Sequence, residues 1–564
     1  MAMPVRVVTC ALAFVIVACH HAPPPVSVGP LPPGAYAHYL AGKMALYRDD
    51  LDGAVREMSA AVEAAPDQPM ISVELARVLA KAQRDDGARD VLARARKKWP
   101  YHAQVWLASG EVLEIGAEKT PALRKEALRA YKRAVELEPT EERGYLGLAR
   151  TQEAAGDKAG AEKTLRALVA KKPDSVDGHY RLATRLDEKG ERDAAAKELR
   201  AVLEWEPDHL DARMDLARLL RKQGKYAESV AQARSAFDRA GQPMDLAEEL
   251  YWLICEADDL QGAVDLLTLL DDDRSDADAL ATVAQFQRGL GRIAESRVVA
   301  DHIKPLDADE SVIALAEADM SEGNTKAAIE RLSPIAVGSP RYIESRRVLV
   351  NAYLAAHEPA KALDVIAPLR AEKPDQIDLA FAEALTRAES GDNAAATKLA
   401  ASFKGKDKDE TIGVAYLHAR VLDKLDDWKG ALAVLEPALG KTGDHVGALN
   451  LAGYLLAQHE ERLADAERYL ARARDLSPGD PSVLDSWGYL LLKRGKSRDA
   501  VRALDHAARF SPREPEILVH LAEAWAADGA PKHAAEVLDR AAALKPPPDV
   551  TRRIDAIRAK LAIR

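Results

Sequence analysis

One spacing constrains this chain more than any other. A small residue recurs at Ala54, Ala88, Ala127, Ala161, Ala195, Ser229, Ala263, Ser296, Ala328, Ala362, Ala396, Ala431, Ala466, Ala500 and Ala534, at steps of 32 to 39 residues and most often 34. Prolines keep phase with it at Pro66, Pro100, Pro139, Pro173, Pro207, Pro340, Pro374, Pro478, Pro512 and Pro546. The last two periods are the clearest. Leu484, Trp487, Gly488, Leu491, Gly495, Ala500, Leu504, Ala507 and Pro512 are answered 34 residues later by Leu518, Leu521, Ala522, Trp525, Gly529, Ala534, Leu538, Ala541 and Pro546. Each period holds two apolar stripes at helical spacing, separated by a glycine break. Small residues let the two helices cross closely, and proline ends the second helix because it cannot continue the hydrogen-bond ladder. One helix pair cannot bury its apolar faces alone, so the pairs must stack.

This pattern resembles the tetratricopeptide repeat (TPR), a helix–turn–helix unit of the same period. The resemblance implies an all-α fold, a right-handed α-solenoid of about fifteen units with a C-terminal capping helix. In that family the first helices line a concave groove that binds proteins or extended peptides. The groove positions of the last three units fall on Asn450, Tyr454, Asp485, Tyr489 and Glu523. Two tyrosines among acceptors and an amide offer ring faces and hydrogen bonds to an extended segment. The same rings can equally pack on each other. The lysine and asparagine set with which some members of the family clamp a C-terminal carboxylate is missing.

The N-terminus carries a second signal. Arg6 precedes an apolar run, Val7 to Val17, which is too short to span a bilayer and suits a secretory signal. Ile16-Val17-Ala18-Cys19 then resembles the lipobox of bacterial lipoproteins, in which the cysteine is lipidated and becomes the first residue. The resemblance implies a membrane attachment through lipid on Cys19. With His20 rather than aspartate next, it implies the outer membrane, facing the periplasm. Prolines 23, 24, 25, 30, 32 and 33 make an extended tether after it. His20-His21 lacks a third ligand nearby and reads as part of that tether.

The organisation that follows is a signal peptide over 1–18, a lipidated proline-rich tether over 19–34, units one to six over 35–241, degenerate units seven to nine over 242–340, units ten to fifteen over 341–546 and a capping helix over 547–564. In the degenerate stretch the closing proline is missing near Gly241, Ser275 and Ala308, and Tyr251 takes a small-residue position. Five extra residues between Gly116 and Lys125 read as a lengthened loop, and Asp174 and Asp208 stand where a side chain caps the next helix. The net charge of −11, with no long basic run, argues against a nucleic-acid partner. Gly440-Lys441-Thr442 lacks the upstream glycine and strand of a phosphate loop, and Asp271-Asp272-Asp273 lacks the glycine and glutamate of a calcium loop. No metal or cofactor site and no catalytic constellation is expected.

The function these features imply is a non-catalytic adaptor in a bacterial envelope. Such an adaptor assists assembly or localisation of a pilus or secretin, an outer-membrane protein or an exopolysaccharide exporter. Regulation of a cell-wall synthase, or service as an accessory subunit of an envelope enzyme, is the alternative. Replacing Cys19→Ser is expected to release the protein to the soluble envelope fraction, because acyl chains add about 0.8 kcal/mol per buried methylene and two or more anchor stably. Mass spectrometry that finds Cys19 unmodified in the membrane-bound wild type would contradict the anchor.

Overall fold

The structure, a computed structural model, describes residues 30–272 and 276–562. Cys19, the signal segment, His20-His21 and the tether up to residue 29 lie outside the described residues, as does Asp273. Among the described residues there are thirty-one α-helices and no strand. They form fifteen consecutive pairs, from Pro33–Tyr47 with Leu51–Ala64 to Pro515–Ala527 with Pro531–Ala543, followed by a last helix, Pro548–Ala562. The phased spacing therefore counts the helix pairs correctly, and the fold is an all-α stack of repeats.

The small-residue ladder is the axis of each pair. None of its fifteen members is more than 1% exposed. Ser229 sits there without cost because its Oγ donates to the Ala217 carbonyl at 2.7 Å on the facing helix. The opposite side of the crossing is equally tight. A Cβ built on Gly488 would stand 2.5 Å from Leu504 Cγ, and one on Gly453 would stand 2.5 Å from Leu470 Cγ. Overpacking of this kind costs about 1–3 kcal/mol.

Local chemistry sets the helix ends. Second helices stop two residues short of their closing prolines, as Ala64 before Pro66, Trp205 before Pro207 and Phe510 before Pro512 show. Many begin at an aspartate whose carboxylate accepts from the amide three residues on: Asp50 from Gly53, Asp157 from Gly160 and Asp427 from Gly430. The caps expected at Asp174 and Asp208 fall one residue later. Ser175 Oγ accepts from the Gly178 amide and His209 Nδ1 accepts from the Ala212 amide. The insertion of repeat three is not a loop either. It lengthens the first helix to Ala103–Lys119 and adds one 3₁₀ turn, Pro121–Leu123, because its alanine, glutamate and lysine residues favour helix.

The chain divides into two compact regions, with the boundary between Ala212 and Arg213. In the first, Tyr131 is fully buried as a wedge between repeats three and four. Its ring lies where a side chain on Gly110 or Gly147 would stand, with Cβ positions 2.6 Å and 2.3 Å away, and its hydroxyl donates to Glu114 at 2.5 Å.

In the second region, repeats thirteen and fourteen close back on repeats six, seven and nine. Arg221 donates to the Asp475 carbonyl at 2.8 Å, His506 Nε2 to the Cys255 carbonyl at 2.6 Å, and Arg513 to the Ser321 carbonyl at 2.8 and 3.1 Å. Arg509 pairs with Asp258 at 2.7 Å. Cys255 and Ser321 stand at the ends of first helices, Met244–Glu256 and Ala308–Ser321, where carbonyls lack helical partners and cations are favoured. Gly479, at φ +73°, is the closest approach: a Cβ there would sit 2.5 Å from the Glu256 amide nitrogen. The seam thus runs over the stretch where the repeat pattern degenerates. Tyr251, the large residue at a small position, finds room by stacking on Phe286 of the next repeat at 4.1 Å.

Beside the seam, repeats eight to ten hold a buried ionic network. Glu310 is 5% exposed and lies 3.3 Å from Arg341 Nε, which also pairs with Asp307 at 2.8 Å. Burial, reinforced by the Glu344 charge, pushes the Glu310 carboxyl up to about 7 from 4.5 against the pull of Arg341. The folded state thus holds this proton more tightly than the unfolded chain. Its contribution is complete below pH 4.5 and is lost as pH rises through about 7. Glu310→Gln is expected to slow local opening of repeats eight to ten at about pH 8, by on the order of 2 kcal/mol, with little effect at about pH 5. Native-state hydrogen exchange at both pH values checks this, and equal exchange of the two proteins at about pH 8 would contradict it.

Candidate functional site

Stacking places the first helices of repeats twelve to fifteen side by side: Lys408–Lys424, Val446–Gln458, Pro481–Lys493 and Pro515–Ala527. Residues at matching turns then form rows across the wall. Tyr416, Asn450 and Asp485 make one row, Leu451, Ser486 and His520 the next, and Gly447, Ser482 and Glu516 a third. The rows line a cavity of about 880 Å³, closed at one end by the turns at Ser477, Asp480, Ser511 and Glu514.

The five groove residues expected from sequence are brought to one area but not to one surface. Asn450, Tyr454 and Asp485 line the cavity. Tyr489 is buried behind it, 7% exposed, with its ring centre 5.6 Å from that of Tyr454 and 4.3 Å from that of His520. Glu523 turns to the last helix, 3.6 Å from Arg553. Burial raises both tyrosine hydroxyls above their ordinary range, so they stay protonated and able to donate.

His520 is the residue that sequence inspection missed. It is 1% exposed, with Nδ1 at 2.9 and 3.1 Å from the two Asp485 oxygens. Burial pulls its imidazolium down, yet the Asp485 carboxylate outweighs that and holds its pKa above 6.5. Its other nitrogen, Nε2, is buried without a hydrogen-bond partner, 4.0 Å from Glu516 Oε2. Asn450 Oδ1 is likewise buried and unpaired. The signal was in the period itself, since 34 residues beyond the groove-side Ser486 lies His520, and 34 beyond Ser482 lies Glu516.

The cavity is acidic. Asp423, Asp480, Asp485, Glu514 and Glu516 line it against Arg420 and Lys424. Burial raises the Glu514 carboxyl, and the charges of Asp485 and Glu516 raise it further. Asp480 is raised by burial, against the pull of the Ser482 and Val483 amides that it caps. Arg553 reaches Glu516 at 2.6 Å from the last helix, whose Val550, Ile554 and Ile557 are buried against repeat fifteen. Among the described residues no three histidine, cysteine or carboxylate side chains are placed to hold a metal. Cys255 is fully buried and burial pushes its thiol up to about 12, which leaves it unreactive.

Profiles of the tetratricopeptide repeat match residues 39–103, 416–481 and 486–547 in one form and 124–186 and 188–243 in another, together more than half of the chain. The TPR repeat-containing protein PA4667 of Pseudomonas aeruginosa is 28% identical over 183 residues, 31% of this chain and 30% of that protein. The match thus spans about a third of that relative's length. Among solved structures, the anaphase-promoting complex hetero-tetramer Cut9–Hcn1 aligns over 93% of this chain and 96% of its own at 12% identity, with a TM-score of 0.33. Naa15/Naa10 bound to HypK-THB aligns over 93% and 96% at 13% identity, with a TM-score of 0.29. YrrB, a TPR protein with an unusual peptide-binding site, aligns over 34% and 96% at 16% identity, with a TM-score of 0.28.

The His520–Asp485 pair gives a direct check of this geometry. Asp485→Asn removes the charge that opposes burial, so the His520 pKa is expected to fall below 6.5. An NMR titration of the imidazole reads it, and an unchanged midpoint would mean that Asp485 does not set the charge of His520.

Proposed function

Because the chain belongs to the tetratricopeptide repeat family, we propose that it is a non-catalytic scaffold whose concave wall at repeats twelve to fifteen grips a protein segment. The observation that carries this reading is the cavity of about 880 Å³ with two buried polar atoms, His520 Nε2 and Asn450 Oδ1, left unpaired within its walls. Unmade hydrogen bonds cost about 1–3 kcal/mol each, and a bound segment that supplies them recovers that cost. The rigid first helices fix the spacing of the contacts, so an extended segment can bind without remodelling the wall. The Ile16-Val17-Ala18-Cys19 run supports an anchored form of this scaffold, held by lipid to a bacterial outer membrane and serving assembly or localisation of an envelope complex.

A photo-crosslinking residue placed at Leu451, in the cavity wall, is expected to trap a defined protein partner in cells. The same residue at Arg502, on an exposed second-helix position, is not. Adding Tyr454→Ala, which removes the ring that lines the cavity, is expected to weaken that partner at least about tenfold while helical content survives, since a buried aromatic anchor contributes about 2 kcal/mol. Equal trapping from Leu451 and Arg502, or an affinity untouched by the Tyr454 change, would contradict the assignment.

A further inference from the structure

We propose, on the basis of the anchored form described above, that the outer face of the first helix, Pro33–Tyr47, rests in the interface of the bilayer that carries the anchor. This helix is apolar on two sides. Its inner side carries Ala35 and Gly42, both buried, and a Cβ on Gly42 would stand 2.9 Å from Met58 Cγ of the paired helix. The other side carries Tyr36, Leu40, Met44 and Tyr47, at steps of 4, 4 and 3 that hold them on one face. All four are exposed, from 42% at Leu40 to 94% at Tyr47.

The end of a repeat stack is kept soluble by a polar outer face. The last helix, Pro548–Ala562, obeys this: Val550, Ile554 and Ile557 are buried, while Arg552, Asp555 and Lys560 are exposed. The first helix breaks the rule and contains no aspartate or glutamate. The charges around its ridge are already met within the protein. His38 pairs with Glu57 at 2.8 Å, Lys43 with Glu74, and Asp49 with Lys81 at 3.6 Å, while Asp50 caps the Gly53 amide. Arg48, exposed and next after Tyr47, adds a positive charge suited to an anionic headgroup. A tyrosine at each end of the ridge can place its ring among acyl chains and its hydroxyl among headgroups.

Size and chain length favour lipid over the other possible covers. The ridge, about 22 Å long and about 10 Å wide, offers on the order of a few hundred Å², below the roughly 800 Å² that each partner of a stable protein interface buries. After cleavage at Cys19, residues 19–29 would bring only Val26 and Val28 as large apolar side chains besides prolines, too few to cover four. Pro33 follows Cys19 by fourteen residues, a reach of at most about 50 Å, so this is the first helix that the anchor holds near the bilayer. A chain already held there needs little intrinsic affinity for the contact to form.

The test uses the full chain, purified from membranes and reconstituted in vesicles of phosphatidylethanolamine and phosphatidylglycerol. Met44→Cys and, as a control, Lys163→Cys on an exposed second-helix position of repeat four each take a nitrobenzoxadiazole label. Cys255 is fully buried and does not compete for it. A lipid carrying a shallow spin label is expected to quench the Met44 label at least about twofold more than the Lys163 label, since an interfacial helix lies about 5–10 Å into the bilayer. Adding Leu40→Glu, at an exposed site that leaves the helix crossing untouched, is expected to abolish the difference while the thermal transition stays unchanged. Equal quenching of the two labels would overturn the proposal. So would a Met44 label shielded from water but not reached by the lipid quencher, which would assign the ridge to a second copy or to the chain's own N-terminal segment. Vesicle flotation that persists alongside either result would leave the anchor standing without this contact. A chain that carries Cys19 unmodified and does not float would remove both.

Discussion

Everything in this structure depends on how closely two helices of a repeat can cross. The ladder from Ala54 to Ala534 has almost no exposed surface, and glycines such as Gly453 and Gly488 face leucines with no room for a Cβ. A larger residue on either side would push the helices apart and alter the angle passed to the next pair. Because each repeat touches chiefly its neighbours, such angles accumulate along the stack. The crossing therefore controls more than local stability: it decides where distant repeats meet.

In the region from Arg213 onward they do meet. Arg221, His506 and Arg513 satisfy backbone carbonyls across sequence separations of 254, 251 and 192 residues. These are charge-assisted or buried contacts at helix ends, where the partner carbonyls lack an intrahelical partner four residues on. Repeats thirteen and fourteen, which form the seam with their second helices and closing turns, also build the cavity with their first helices. Asp480 and Gly479 lie in the same turn, one lining the cavity and the other pressed on Glu256. The seam and the cavity are thus two faces of one set of helices, and a rigid seam keeps the acceptors of the cavity at fixed spacing without a ligand.

The sequence made the repeats legible because small residues and prolines act locally and recur with the period. It placed Asn450, Tyr454 and Asp485 in the cavity for the same reason. It misjudged what depends on a single residue of register: the caps that fall on Ser175 and His209, and the row through Ser486 that ends at His520. The insertion before Lys125 was misread because its helix-forming residues were counted as loop. The acidity of the cavity forms no run in the chain, since Asp423 and Glu516 come from helices of different repeats and only stacking joins them. The seam was invisible for the stronger reason that Gly479, His506 and Arg513 look like ordinary turn and surface residues until the coil returns to repeats six to nine.

The most direct measurement is the distance across that seam. Nitroxide labels at Leu260, at the start of a second helix of repeat seven, and at Arg502, exposed in repeat fourteen, report it by pulsed electron spin resonance on the intact chain. A closed seam predicts one narrow distribution, the same at low and high salt, which broadens when Arg513 and His506 are both replaced by alanine. A broad or multiple distribution in the otherwise unaltered protein would show that repeats seven and fourteen do not hold each other, and would contradict the account of a pre-formed cavity.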